Sequence, residues 1–195
     1  MTLFFISDTH FGHKNIIRLA KRPFASVEEM DEALIENWNS VVGAGDTVYH
    51  LGDFAYRNAL GADHYMQKLN GRVHLIRGNH DTHTLKSFPE IFESVVDYFE
   101  LKVESRTIVL SHYPMREWHG CWRGAWHLFG HVHSRLDHEP LGYSLDVGLD
   151  SHDFLPLTVD QIEAQFKDRE NPFASRHQAK EAKSDDVEAG IEQQD

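Results

Sequence analysis

The residues of this chain best able to do chemistry stand in five short clusters. They are Asp8-Thr9-His10, Gly52-Asp53, Gly78-Asn79-His80-Asp81, His112 and Gly130-His131-Val132-His133. Carboxylate oxygens, imidazole nitrogens and an asparagine carbonyl are ligands for a divalent metal ion, and no thiolate accompanies them. Gly78 permits a sharp turn and a close backbone approach. His80 can give or take a proton near neutral pH. Asp81 can fix the orientation of a neighbouring imidazole. Each cluster also has an ordinary reading. Asp8-x-His10 could cap a helix, Gly52-Asp53 could be a plain turn, and His112 before Tyr113-Pro114 could be a loop histidine. His131 and His133 could lie on an exposed edge strand. That pair is the most informative singly, because alternate strand residues share a face. What favours chemistry is coincidence: every cluster follows a run that reads as a strand.

Those runs supply the scaffold. Thr2–Ile6, Thr47–Leu51 and Arg72–Ile76 are short, apolar and β-prone. Between them the spacing predicts helices over Asn15–Ala20, Ser26–Val41 and Asn58–Asn70. The second is the clearest, with Ser26 and Glu29 as a capping box and Val27, Met30, Leu34, Trp38 and Val41 on one face. Gly43 and Gly45 end it. Alternation of strand and helix points to an α/β fold with a largely parallel sheet. Ligands in such sheets gather beyond the carboxyl ends of the strands, where the first three clusters fall. The second half reads as strands over Val95–Val103, Thr107–Leu110, Trp126–Phe129 and Tyr143–Val147, then a helix over Val159–Phe166. Their close spacing predicts a second, more antiparallel sheet. A catalytic domain is expected over residues 1–166, and a polar, flexible tail over 167–195.

Composition narrows the function. The 195 residues carry a net charge of −12, of which the tail from Lys167 contributes −3. A body so acidic argues against broad binding of extended nucleic acid. No apolar run is long enough to span a bilayer, and Leu3–Ile6 is too short for a signal-peptide core. A single cysteine, Cys121, excludes an intrachain disulfide and fits a reducing compartment, so a cytoplasmic location is expected. The fifteen histidines are the other anomaly.

Taken in order, the five clusters resemble the calcineurin-like metallophosphoesterase superfamily. Its pattern runs Asp-x-His, Gly-Asp, Gly-Asn-His-Asp or Glu, His, then Gly-His-x-His. The match covers residues 8–133 with every member present. The resemblance implies two mixed β-sheets flanked by helices in a four-layer sandwich. It implies two divalent ions, one held by Asp8, His10 and His133, the other by Asn79, His112 and His131, with Asp53 bridging. Manganese is expected first, with iron, zinc, cobalt or nickel as alternatives. By resemblance, a metal-bridging hydroxide attacks phosphorus, and His80, oriented by Asp81, protonates the leaving oxygen. Departures narrow the branch. Gly52-Asp53 continues as Phe54-Ala55-Tyr56-Arg57, not the Asp-Arg-Gly of the protein serine/threonine phosphatases, and Asp81 stands where that branch has Glu. The chain is similar instead to small single-domain bacterial and phage members. A small phosphodiester or phosphomonoester, nucleotide-like, is the implied substrate. A nuclease on the same metals and a non-enzymatic scaffold are the alternatives; the oligomeric state stays open.

Tyr113–Arg123 lies between two ligand clusters and is expected to approach the site. Arg116 and Arg123 could fork onto phosphate oxygens, and Trp118 and Trp122 could stack on a base. Equally, the tryptophans could pack the loop onto the body.

Overall fold

The computed structural model describes residues 1–56 and 60–174. Its strands are β1 (Leu3–Ile6), β2 (Thr47–His50), β3 (Arg72–Ile76), β4 (Ser94–Val96), β5 (Tyr98–Val103), β6 (Arg106–Ser111), β7 (Trp126–Phe129), β8 (Ser144–Asp146) and β9 (Leu157–Thr158). The helices are α1 (Lys14–Leu19), α2 (Val27–Val41), α3 (Ala62–Met66), α4 (Asp81–Ser87) and α5 (Val159–Phe166). One sheet has the order β4-β3-β2-β1-β9, with only β9 antiparallel to its neighbour. The other has the order β5-β6-β7-β8. Here the more antiparallel sheet expected is corrected: only β5–β6 is antiparallel, and β6–β7 and β7–β8 are parallel. Both sheets are thus mixed, and helices flank them.

Strand alternation decides which side chains meet. Phe4, Ile6, Val48, Val73 and Leu75 face one way and pack under α1, α2 and α3, with Met30, Leu34 and Trp38 from α2. Phe5, Leu51 and Ile76 face the other way and meet Ile108, Leu110, Leu128 and Leu145 of the second sheet, with Ile162 and Phe166 of α5. On β6 the intervening Val109 turns to the outer face. There the fourth layer is built by the segment 114–125, with its 3₁₀ turn Cys121–Arg123, and by Phe173.

Several boundaries differ from expectation for physical reasons. The continuous strand expected over Val95–Val103 breaks at Asp97, so that β4 joins the first sheet and β5 the second. Arg77 holds that break through a bidentate pair with Asp97, 2.7 and 2.8 Å. The α2 cap forms as read, with Ser26 Oγ accepting from Glu29 N at 3.1 Å, but Glu29 reaches back to Ala25 N. Val41 is exposed and Val42 is the buried residue. The long helix expected over Asn58–Asn70 shrinks to α3, and its first two residues lie outside the described residues.

Polar composition misplaces the start of the tail. Phe173 is buried against Trp118, with ring centroids 5.3 Å apart. Arg169 Nη1 donates to Ser144 O at 2.6 Å, and Asn171 Nδ2 to Cys121 O at 2.8 Å. The chain therefore packs through these residues; 175–195 lie outside the described residues. Phe173→Ala should cost about 3 kcal/mol of unfolding free energy, measured by urea denaturation. A loss near zero would mean that the segment is a tail after all.

Candidate metal centre

Backbone hydrogen bonds continue past the strand ends and tie the loops together. Asp8 N donates to Gly52 O at 3.0 Å, His10 N to Asp53 O at 2.9 Å, and Gly130 N to His112 O at 3.0 Å. The two sheets are joined here as well, since Ser7 N donates to Val147 O at 3.1 Å. The loops are too tight for ordinary backbone. Asp8, His10, Asp53, His131 and His133 have φ of 60°, 50°, 58°, 70° and 48°. Non-glycine residues there cost about 1–3 kcal/mol each, and such strain concentrates at functional sites. Two glycines permit the close approach. A Cβ on Gly78 would strike Asp53, including its backbone nitrogen at 2.5 Å, and one on Gly130 would strike Ser7 and Asp8.

The loops assemble two ligand groups, Asp8/His10/His133 and Asp53/His112/His131, each with donor atoms within 4.8 Å of one another. Asp53 Oδ2 lies 3.6 Å from His10 Nε2 and 3.6 Å from His112 Nε2, so it stands between the groups. Asn79 joins the second group, its Oδ1 3.0 Å from His112 Nε2. In the first group Asp8 Oδ1 is 3.8 Å from His10 Nε2 and 3.9 Å from His133 Nε2. Donors sharing one ion at about 2.1 Å stand about 3–3.5 Å apart, slightly closer than these.

The remaining atoms of these residues are already occupied, which aims the free ones. Asp8 Oδ2 accepts from Ser7 Oγ at 2.7 Å and His131 N at 2.8 Å. His112 Nδ1 donates to Leu51 O at 2.7 Å, leaving Nε2 with its lone pair. His133 Nδ1 donates to Asp150 Oδ2 at 2.7 Å, and Asp150 is gripped by Arg22 at 2.7 and 3.1 Å. Arg22 also donates to Asp8 O at 2.7 Å and Thr9 O at 3.0 Å. What is left over is telling. Asp8 Oδ1 and His10 Nε2 are buried with no hydrogen-bond partner. An orphaned buried acceptor costs about 1–3 kcal/mol, so a cation between them fits the donor set.

Electrostatics agree. Burial pushes the Asp8 carboxyl up to about 7. Burial, then the charge of Arg22, holds His10 well below the usual imidazole range, in the neutral form a ligand needs. Burial likewise lowers His131. At His133 burial opposes the charge, but the Asp150 hydrogen bond and the charge of Asp8 outweigh it and raise the group.

Two expected roles are corrected. Asp81 does not orient His80. Its Oδ2 accepts from Gly78 N at 2.7 Å and Asp53 N at 2.9 Å, and its Oδ1 from Phe54 N at 2.9 Å. Both oxygens are spent clasping the Asp53 loop. Trp118 is buried, with Nε1 donating to Ala125 O at 2.8 Å, so it packs its loop rather than stacking on substrate. Trp122 is half-buried beside it, with the Arg123 guanidinium 5.4 Å from its ring. Arg123 lines a cavity with Lys102 and Arg106 where β6 begins, and Arg116 lines another beside Phe129 and Leu136. Neither cavity includes a candidate ligand. His80, by contrast, stands at the rim, 42% exposed, its Nε2 4.0 Å from Asp53 Oδ2.

Residues that carry no local motif complete the site. Arg22 and Asp150 are 128 positions apart, so no spacing could pair them. His50 supports the Asp8 loop through Thr9 Oγ1 at 2.9 Å, and burial lowers it to about 3.

A family model for the calcineurin-like phosphoesterase superfamily domain matches residues 1–142. The chain belongs to that superfamily. It is accordingly a hydrolase of phosphoric esters, and its two groups of histidine and aspartate are possible metal sites. An uncharacterized protein, MJ1445, of Methanocaldococcus jannaschii is 38% identical over 167 residues, 82% of this chain and 88% of that one. The gene 66 protein of Mycobacterium phage L5 is 32% identical over 161 residues, 68% of this chain and 77% of that one. The solved protein of unknown function AQ665 from Aquifex aeolicus matches with a TM-score of 0.67 and 26% identity, covering 84% of this chain and 98% of that one. Among the described residues no helix is long and apolar enough to cross a membrane.

Asp81→Ala should leave three backbone N–H groups unpaired, lower the unfolding free energy by at least about 2 kcal/mol, and reduce bound metal. Intact stability and metal content would restore the orienting role. Metal uptake by the stripped protein should expel more protons at pH 6 than at pH 8.5, because Asp8 is protonated below about 7 and His133, raised above the ordinary imidazole value, is protonated at pH 6 as well, and each must give up its proton to ligate. Calorimetry in buffers of different ionisation enthalpy reads this, and equal release at both pH values would contradict it.

Proposed function

We propose that this protein is a dinuclear phosphoesterase acting on small, nucleotide-like phosphodiesters or phosphomonoesters. The observation that carries the reading is the shared aspartate: Asp53 Oδ2 stands 3.6 Å from a histidine of each group, while orphaned Asp8 Oδ1 and His10 Nε2 face the same gap. Asp8, His10 and His133 would hold one ion, and Asn79, His112 and His131 the other, with Asp53 shared. Nitrogen and oxygen donors without sulfur favour manganese, with iron, zinc, cobalt or nickel able to replace it. When bound, two such ions supply a water of lowered pKa and neutralise charge on phosphoryl oxygens.

The chain's own residues do the rest. The clasp of Asp81 and the bond from His80 N to Asp53 Oδ1, 2.8 Å, fix the shared carboxylate. Asp150 and Arg22 fix the ring of His133. His80 is exposed enough to meet substrate, and it donates a proton to the leaving oxygen. Cys121 is free and buried, which suits a reducing, cytoplasmic setting.

Metal-stripped protein given Mn, Ni, Co, Zn or Mg should hydrolyse bis(p-nitrophenyl) phosphate or p-nitrophenyl phosphate, and whichever is faster sets the ester class. His80→Ala should keep its metal and lose about 10²–10⁴-fold in kcat. Asp53→Asn should lose both. Metal content falling with activity in His80→Ala would remove the proton-donor role, and no turnover of either ester with metal bound would remove the enzyme reading.

A further inference from the structure

A cleft of about 500 Å³ opens beside the first ligand group. Its floor is His10 and His133, and His80 stands at its rim. One wall is Ile16, Leu19 and Lys21, from α1 and the turn after it; the other is Ser134 and Arg135. Sites for drug-sized ligands and cofactors fall between about 300 and 1,000 Å³, so the cleft exceeds what a lone phosphate needs.

Its charge is unlike that of the whole chain. Net charge is −12, yet residues 9–27 hold Lys14, Arg18, Lys21 and Arg22 and no acid. Arg22 is consumed by Asp150, and the other arginine pairs of the described residues are Arg77–Asp97 and Arg106–Glu163. Lys21 and Arg135 are exposed, and no carboxylate pairs with either among the described residues. Arg135 is nevertheless held in place, its Nε donating to Val132 O at 2.8 Å. Lys21 sits in the left-handed region at φ 56°, a strained conformation that fixes the chain direction as α1 ends. Leu19 leaves a large apolar side chain 61% exposed. Two unpaired cations, an apolar wall and a proton donor at the rim describe a pocket for the leaving group.

We infer that the cleft takes a second phosphate of the substrate, carried on the leaving group and clamped by Lys21 and Arg135. This rests on the phosphoesterase reading above and narrows it to diesters whose leaving group is itself a nucleotide. The reaction stays a simple hydrolysis. A water oxygen bonds to phosphorus, the bond from phosphorus to the leaving nucleotide breaks, and its oxygen takes the proton from His80. Leu19 faces the apolar part of that nucleotide.

The test compares thymidine dinucleotide with its 5′- and 3′-phosphorylated forms on manganese-loaded protein. In parallel, calorimetry compares thymidine 3′,5′-bisphosphate with thymidine 5′-monophosphate. One phosphorylated dinucleotide should gain about tenfold in kcat/KM, and the bisphosphate should bind about tenfold tighter, as a charge-assisted contact gives. The double variant Lys21→Ala, Arg135→Ala should bring both ratios to about one. Lys14→Ala, which removes a charge on α1 outside the cleft, should leave them unchanged. Ratios near one in the unaltered protein would overturn the inference while leaving the enzyme intact. Equal loss in Lys14→Ala would overturn it too, because a general field and not a contact would be responsible. If no ester turns over, the binding ratio alone decides the inference, and the enzyme reading fails separately.

Discussion

The carboxylate of Asp53 is the constraint on which the rest of the site depends. One oxygen is tied down by His80 N and the backbone nitrogen by Asp81, while the other oxygen faces histidines from two groups. Negative charge in a buried place is costly unless something positive meets it. Among the described residues no lysine or arginine side chain pairs with it; Arg22 reaches backbone carbonyls, Met30 Sδ and Asp150. The burial of Asp8, the orphaned atoms and the left-handed backbone at five candidate ligands are consequences of building for a cation that the fold itself does not supply.

The sheets make that arrangement affordable in free energy. Parallel pairing of β1, β2 and β3 puts the Asp8, Asp53 and Asn79 loops at the same edge, and parallel β6 and β7 do the same for His112 and His131. The apolar layer between the sheets, with Phe5 and Ile76 against Ile108 and Leu110, sets the two edges against each other. Candidate ligands from both sheets then converge without any one loop being long. Close backbone contact at Gly78 and Gly130 removes the last ångströms. Groups at strand ends inherit the rigidity of the sheet, which is what the proton delivery proposed for His80 would require.

Much of this was legible in the sequence, and the failures are instructive. The candidate ligands could be read because each stands in a short motif after an apolar run, and such runs pair in parallel only one way round. Local motifs say nothing of partners far along the chain, so the Arg22–Asp150–His133 arrangement was hidden. Asp81 was misjudged because adjacency to His80 in sequence is not adjacency in space: as the first residue of α4 it turns back to backbone N–H groups of the Asp53 loop. Val95–Val103 looked continuous because both halves are β-prone, and only the pairing of β4 with β3 and of β5 with β6 shows the switch between sheets, at Asp97. Phe173 is one aromatic in a polar stretch, too little for a periodic signal yet enough to cover Trp118.

The most direct test of the central claim is anomalous diffraction at the manganese edge from crystals of the manganese-loaded protein. The account predicts two peaks about 3.5–4 Å apart, one against Asp8, His10 and His133, one against Asn79, His112 and His131, with Asp53 touching both. A single peak, or peaks away from Asp53, would contradict it.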